Sequence, residues 1–332
     1  MSFCNSIKLE KGMYNIRGKS FTEVLESLDP SENYKETNLN GLDAYQRQLK
    51  RFDIKVSGPN CDKVEKFFTC TDSAVLFPEF ISRSIKQGME AFKLIPEITA
   101  AKTIIDGVDY RPITATTGTV VSPVTEGTAM TSVSVASANS LVNLKKHGRV
   151  FSSSYEAMRF QNLDVISVIF KKIGMDIAAE QLYDAVTALL PNTAMGVATA
   201  NTLVYADLLS LWAAINPYNP NVMIASEATV KKILALNEMK DARAGLGFHG
   251  TGKLVTPIGA KLIVDTQKIA DDKILAFDKD FALQMVQSGD ISVEYDKVID
   301  QQLDKAAISV TTGFSTICSD AVKLLDITTA AI

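Results

Sequence analysis

The stretch that decides the fold covers residues 152–190 and reads SSSYEAMRFQNLDVISVIFKKIGMDIAAEQLYDAVTALL. No proline interrupts it before Pro191. Ser153 followed three residues later by Glu156 is the pattern of a capping box, and Asn162 offers a second N-cap. A helix over residues 162–190 would be about 40 Å long. Such a helix needs other elements packed along it.

Apolar residues repeat along this predicted helix every three or four positions, which is typical of an amphipathic helix. The predicted buried face consists of Ile166, Phe170, Ile173 and Ile177, widened by Val165, Ile169, Leu182 and Val186. Gly174 lies inside the helix, where glycine costs up to ~1 kcal/mol relative to alanine.

A length of 332 residues suits one large domain or two to three smaller ones, with a sizeable core. The content of 46% hydrophobic and 22% charged residues is that of a folded protein. The net charge of −4 argues against a broad basic face for nucleic acid.

The amino terminus has no apolar secretory segment, and the uncharged run 185–206 is broken by Pro191 and Gly196, so no membrane helix is predicted. The four cysteines form no C-x-x-C pair and only two histidines occur, so no zinc site is expected and the thiols should be reduced.

Residues 1–71 are weakly apolar and predict two short helices. The first covers residues 20–28, with Ser20 and Glu23 as a capping box. The second covers residues 42–49, with Leu42, Tyr45 and Leu49 on one side. These pieces have too few apolar residues for a core of their own. The segment is therefore an arm packed on something else or a partly disordered tail.

Residues 112–144 contain a single charged residue, Glu126, among threonine, serine, valine and alanine. A flexible linker is one interpretation, but the β-branched content favours two long paired strands. Such a hairpin would be poorly buried alone, so it is a candidate for lying on another subunit.

The other predicted elements mix helices and strands. Helices are predicted at 78–90, 202–215 and 226–244, and strands at 95–106, 221–226, 260–264, 273–277, 281–287, 291–296 and 306–311. The order has no repeating βαβ period, so the fold class is α+β.

No stretch of the sequence predicts a catalytic or cofactor site. Residues 245–250 match G-x-G-x-x-G, but a helix precedes them and Pro257 follows, which is the wrong context for a dinucleotide site. The near match to a P-loop ending at Lys253 has Leu254 where serine or threonine is required. No G-x-S-x-G motif occurs, and His147 belongs to a short basic cluster. A glycine-rich surface loop explains residues 245–253 better than nucleotide binding does.

Several short motifs, taken in order, carry a resemblance to a known family. They are LFPEFI at 76–81, VTEG at 124–127, LKKHGR at 144–149 leading into SSYE at 153–156, the long helix, and PIGA at 257–260. In this order the chain resembles the major capsid proteins of tailed bacteriophages with the Hong Kong 97-type fold. LDAYQRQL at 42–49 is similar to a subset of that family with an extended amino-terminal arm.

The resemblance implies an assignment of parts. Residues 1–71 would be the N-terminal arm, 112–144 the extended E-loop hairpin, and 72–111, 145–201 and 291–312 the peripheral (P) domain with its spine helix and return strands. Residues 202–290 and 313–332 would form the axial (A) domain.

The resemblance also implies a non-enzymatic function: self-assembly as pentamers and hexamers into an icosahedral phage head around double-stranded DNA. Scaffolding and portal proteins would be assembly partners, the DNA would be contacted weakly and without sequence specificity, and the protein would be located in the virion after assembly in the host cytoplasm. The candidate subunit-contact positions are Leu42, Tyr45, Leu49, Glu126, Lys145, Lys146 and Arg149. Two alternatives stay open: an encapsulin-type nanocompartment shell, and a nucleotide-binding enzyme that uses residues 245–253.

Overall fold

A computed structural model describes residues 7–16, 19–116, 126–127, 134–137, 140–240, 254–265 and 268–331. Within these ranges the helices are α1 (Phe21–Leu28), α2 (Ala44–Arg51), α3 (Thr71–Ala74), α4 (Phe77–Phe92), α5 (Leu94–Ile98), α6 (Tyr155–Arg159), α7 (Leu163–Leu189), α8 (Tyr205–Ala214), α9 (Glu227–Leu234) and α10 (Asn237–Lys240). The strands are β1 (Ala101–Ile105), β2 (Ile113–Thr116), β3 (Ser134–Ser137), β4 (Lys145–Ser154), β5 (Met195–Val197), β6 (Val222–Ser226), β7 (Lys261–Asp265), β8 (Lys273–Phe277), β9 (Leu283–Val298), β10 (Leu303–Thr316) and β11 (Val322–Ala330). The α+β class is confirmed.

The chain divides into two compact units. Unit 1 comprises residues 1–92, 146–179 and 288–311, and unit 2 comprises residues 93–145, 180–287 and 312–332. These limits differ from the predicted domain limits in three main ways. Residues 1–71 belong to unit 1, residues 93–111 belong to unit 2, and the boundary predicted at 201/202 lies at 179/180, inside the long helix. Naming these parts P domain, A domain, arm and E-loop stays a prediction.

Unit 1 is built on a core to which the amino-terminal segment contributes directly. Phe21, Leu25, Tyr45 and Leu49 belong to one apolar cluster with Phe80 and Ile85 of α4 and Phe170 of α7. Ser20 and Glu23 form the predicted capping box of α1, and Asp43 with Gln46 forms one for α2. The segment therefore folds as part of this unit.

Arg83 of α4 holds the amino-terminal helices in place. Its guanidinium donates hydrogen bonds to Glu79 at 2.9 Å, to Asp43 at 2.7 Å and to the Thr22 hydroxyl at 3.0 Å. It also lies over the Tyr45 ring, 4.3 Å from the ring centroid. One side chain of α4 thus contacts both α1 and the first turn of α2.

The predicted contact role of Tyr45 and Leu49 needs correction. Their exposed fractions are 2% and 6%, so they have almost no surface left for another subunit. Leu42 is half-buried and stays a candidate. The physical reason is that the apolar side of α2 is covered by the subunit's own α4, which is distant in sequence.

The long helix α7 begins and ends within one residue of the predicted limits, and Ile166, Phe170 and Ile177 are buried as predicted. The predicted face is too wide, however, because Val165 and Ile169 are 50% and 43% exposed, and Ile173 is only half-buried. The predicted capping box at Ser153 is also wrong. Ser153 lies in β4, and Ser154 caps α6 by accepting the Ala157 N–H at 3.3 Å.

Helices α4 and α7 contact each other at two glycines. A Cβ added to Gly88 would overlap the carbonyl oxygen of Lys171, and one added to Gly174 would overlap that of Ile85. The backbones therefore approach as closely as glycine alone allows. Gly174 is a requirement of packing and not merely a weak point of the helix.

Unit 2 contains a five-stranded mixed sheet with the order β5-β11-β8-β6-β7. β6 is parallel to β7, with Val222 opposite Lys261, and antiparallel to β8, with Val222 opposite Phe277. α8 and α9 pack on this sheet through Leu208, Leu211, Val230 and Ile233. The unbroken apolar run of β6 is buried at every position, as expected for a central strand.

A second sheet has the order β1-β9-β10-β4. The strands predicted at 281–287 and 291–296 form one strand, β9, which passes through Gly289 with φ +65°, a conformation that favours glycine. The strand predicted over 95–106 is divided into α5 and β1.

Candidate assembly surfaces

The hairpin predicted within residues 112–144 has its paired base in β2 and β3. Ile113 lies opposite Ser137 and Thr116 lies opposite Ser134 in an antiparallel register. Glu126 and Gly127 form an exposed turn in which Gly127 has φ +86°, a conformation that favours glycine. Residues 117–125, 128–133 and 138–139 lie outside the described ranges. At the base of this segment, the strand pairing favours the hairpin interpretation and not the flexible linker.

The basic residues before α6 lie on β4 and do not all face the same partner. Lys145 donates to Asp184 at 2.6 Å within unit 2, so part of its charge is already compensated. Lys146 and Arg149 are exposed in unit 1 and line a shallow groove with Val150, facing Ser309 of β10 and Glu294 of β9. Gly148 allows the close approach of β4 to β10, because a Cβ there would overlap the Ile308 carbonyl oxygen.

The structure brings together no metal site in the part of the chain that it describes, since no cluster of three or more His, Cys, Asp or Glu occurs there. The glycine-rich stretch 245–253, including His249, lies outside the described residues. His147 is half-buried in β4.

Burial raises the pKa of the Cys61 thiol, although the Asp164 N–H donates to its sulfur at 3.3 Å. A protonated thiol is a poor nucleophile.

Among the described helices, none has both the length and the apolarity needed to cross a bilayer.

Sequence reasoning missed a set of exposed apolar side chains. On α8 these include Leu209 and Trp212, 43% and 46% exposed, and on α7 they include Val168, 63% exposed. Apolar periodicity cannot separate them from core residues. The signal that could have found them is the absence of charged residues on the solvent side of α8.

Solved structures with a similar fold include capsid proteins and a virus-like particle. The capsid of a native GTA particle computed with C5 symmetry has a TM-score of 0.53 at 14% identity, covering 72% of this chain and 91% of that one. The capsid of an empty GTA particle computed with C5 symmetry gives 0.52 at 13% identity, over 72% and 90%. A virus-like particle from Pyrococcus furiosus gives 0.50 at 14% identity, over 75% and 98%. At such identities these similarities concern the fold.

A family model described as phage capsid protein matches residues 137–321, more than half of the chain. The chain belongs to this phage capsid protein family, and its fold is the Hong Kong 97-type fold of major capsid proteins. It is thus a structural protein of an icosahedral virion shell. No protein in a search of curated proteins matches it.

Proposed function

We propose that this chain assembles as pentamers and hexamers that close into an icosahedral head around double-stranded DNA. The observation that carries the proposal is the family match over residues 137–321, which include α7, α8, α9 and the strands β4–β10. A ring of identical subunits needs heterologous contacts, in which one surface of a subunit meets a different surface of the next. The hairpin on β2 and β3 and the groove that contains Lys146 and Arg149 are candidates for such a pair of surfaces.

We infer that the hairpin on β2 and β3 lies across a neighbouring subunit. It carries one charge, Glu126, at an exposed turn, and Ile113 at its base is 55% exposed in the isolated chain. Lys146 and Arg149 line a groove of unit 1 together with one carboxylate, Glu294. An ion pair between Glu126 and this groove would set the register of an otherwise uncharged contact.

Leu42 and Lys145 are the other candidate contact positions. Leu42 is half-buried and precedes α2, and Lys145 stays 47% exposed despite its pairing with Asp184. Each keeps surface that a neighbouring subunit could cover.

The charge of the chain suits a container for nucleic acid. A net charge of −4 gives no reason for tight binding to DNA, which is gripped mainly through phosphate contacts from basic residues. Contact with packaged DNA would therefore be weak and independent of sequence. Assembly in the host cytoplasm with scaffolding and portal proteins belongs to the same proposal.

Electron microscopy of the purified protein, combined with analysis of the particle contents, tests this function. We expect closed icosahedral particles, and nuclease-protected double-stranded DNA in particles isolated from an infection. Particles that contain a specific enzyme instead of DNA would favour an encapsulin-type shell. A protein that forms no particles under any assembly condition, alone or with the other phage proteins, would contradict the proposal.

Catalysis is not part of the proposed function. Calorimetry with ATP and with NAD tests the alternative enzyme, and we expect no saturable binding. Binding that is lost in Lys253→Ala but kept in the control Lys240→Ala would support a nucleotide site in residues 245–253.

A further inference from the structure

A second stretch of the chain is almost without charge. From Ala185 to Ser226 the sequence contains one charged residue, Asp207, in a protein whose overall charged content is 22%. The structure describes all of these residues. They include α8, so a helix at the surface of unit 2 is built almost without charge.

Asp207 adds no charge to the surface of α8. Its exposed fraction is 4%, and its carboxylate accepts the N–H of Ala198 at 2.9 Å and that of Val204 at 3.0 Å. These bonds anchor the beginning of the helix and the loop before it. The role of Asp207 is therefore internal to unit 2.

The two sides of α8 differ in burial, but neither side exposes a charged residue. Leu208 and Leu211 are fully buried against the sheet. The outer side consists of exposed residues without charge, which are Ala206, Leu209, Ser210, Trp212 and Ala213. A surface helix normally has charged or polar residues on its outer side. Helix α9, the next along the chain, follows that rule, because three of its four exposed residues, Glu227, Lys231 and Lys232, are charged and the fourth is Ala228.

We propose that the outer side of α8 is a contact surface for a second copy of this chain, a step that rests on the proposed shell. Charged residues are depleted at the centre of protein interfaces, and tryptophan is enriched among the residues that contribute most to binding. Trp212 and Leu209 would lie at the centre of the contact, with Ala206 and Ala213 permitting a close approach.

The size of this surface argues for a second copy within a closed ring and against a free dimer. α8 has 10 residues and is about 15 Å long. One side of it has a footprint on the order of 150 Å2, given a helix width of ~10 Å, against ~800 Å2 per partner in a stable interface. Such a contact is too small to hold a pair alone and persists where ring closure repeats it together with other contacts. Trp212 should accordingly be exposed in isolated subunits and shielded in shells.

Trp212 is the single tryptophan of the chain, so tryptophan fluorescence reports on this surface alone. The experiment compares iodide quenching and the emission maximum of unassembled subunits with those of closed shells made from the full chain. We expect strong quenching in subunits, and protection with a shift to shorter wavelength in shells. Equal quenching in both states would overturn the proposal.

A matched pair of variants separates this contact from the proposed function. Ala213→Lys adds a charge to the outer side of α8, and Ala235→Lys adds the same charge just after α9; both alanines are exposed near helix ends. We expect both variants to give soluble, folded subunits, and only Ala213→Lys to lose closed shells. Normal shells from Ala213→Lys would overturn the contact while leaving the proposed function intact. Shielding of Trp212 only after a different phage protein is added would also overturn it, because the partner would not be a second copy. Absence of shells from the unaltered chain would instead contradict the proposed function.

Discussion

At the scale of single residues, Arg47 connects the two amino-terminal helices of unit 1. Its side chain is fully buried and donates from Nε to Asp29 at 2.8 Å, and from Nη1 to the Ser31 hydroxyl at 2.9 Å and to the Leu42 carbonyl at 2.6 Å. The guanidinium also lies over the Tyr34 ring, 4.5 Å from its centroid. A buried pair of this kind is most costly when one partner is removed, because the other charge stays buried.

The change Arg47→Met should lower the free energy of unfolding by about 3–5 kcal/mol, since Asp29 would be left without its cation. The control Lys50→Met changes an exposed residue of the same helix and should alter stability by less than ~0.5 kcal/mol. Denaturant unfolding measures both. Equal effects of the two changes would mean that the buried pair contributes nothing specific.

Glu26 gives this same region a predictable dependence on pH. Partial burial opposes its ionisation, but hydrogen bonds from Ser31 and from the Ala44 N–H, together with Arg47, outweigh burial and lower the pKa of Glu26. A lowered pKa in the folded state means that the stabilisation is complete above the unfolded carboxyl pKa of ~4.3 and is lost as the pH falls through the folded value.

We therefore expect Glu26→Gln to be less stable than the unaltered chain at neutral pH, and the difference between them to shrink as the pH falls below ~4.3. Thermal unfolding over a pH series measures this difference. Glu32→Gln, at an exposed position, serves as the control. A difference that stays constant with pH would rule out the ionised Glu26 carboxylate as its source.

At the scale of elements, the crossing of α4 and α7 depends on Gly88 and Gly174. A Cβ at either position meets backbone atoms of the opposite helix, and backbone cannot rotate away as a side chain can. The helices would have to separate, which would loosen the aromatic contacts around Phe170.

The change Gly88→Ala should destabilise the protein by about 1–3 kcal/mol, although alanine has the higher helix propensity. Gly12→Ala is the matched control, because no atom lies within 4 Å of a Cβ added there. Denaturant unfolding measures the free energy of unfolding of both variants. A stabilised Gly88→Ala protein would show that the helices are not in close contact.

At the scale of the whole molecule, the hairpin should matter for assembly and little for folding. Among the described residues of the hairpin, β2 and β3 pair over four residues each, and a two-stranded hairpin by itself is marginally stable in water. Contact with a neighbour would add apolar burial worth ~25 cal/mol per Å2 before ordering costs.

Replacing residues 116–137 by a short Gly-Ser link should thus leave a soluble, folded subunit that fails to form closed shells. Circular dichroism measures folding, and sedimentation with microscopy measures assembly. Normal particles would show that the hairpin is dispensable for assembly, and an unfolded subunit would show that it belongs to the core.

The sequence by itself determined the elements whose signals are local. The limits of α7, the caps at Ser20 and Ser226 and the strand β6 follow from side-chain periodicity, capping chemistry and an uninterrupted apolar run, all of which act over a few residues. The ordered set of short motifs also sufficed to indicate the capsid family, which the match over residues 137–321 confirms.

Tertiary structure alone decided which apolar surfaces are covered and by what. Tyr45 and Leu49 are buried within their own subunit, whereas Val165, Ile169 and Trp212 stay exposed despite similar hydrophobic spacing. Periodicity shows that a helix has an apolar face, but the partner of that face comes from distant residues such as those of α4. The same reason explains Gly88 and Gly174, whose necessity arises only where two helices 86 positions apart in the chain, from 88 to 174, bring their backbones together.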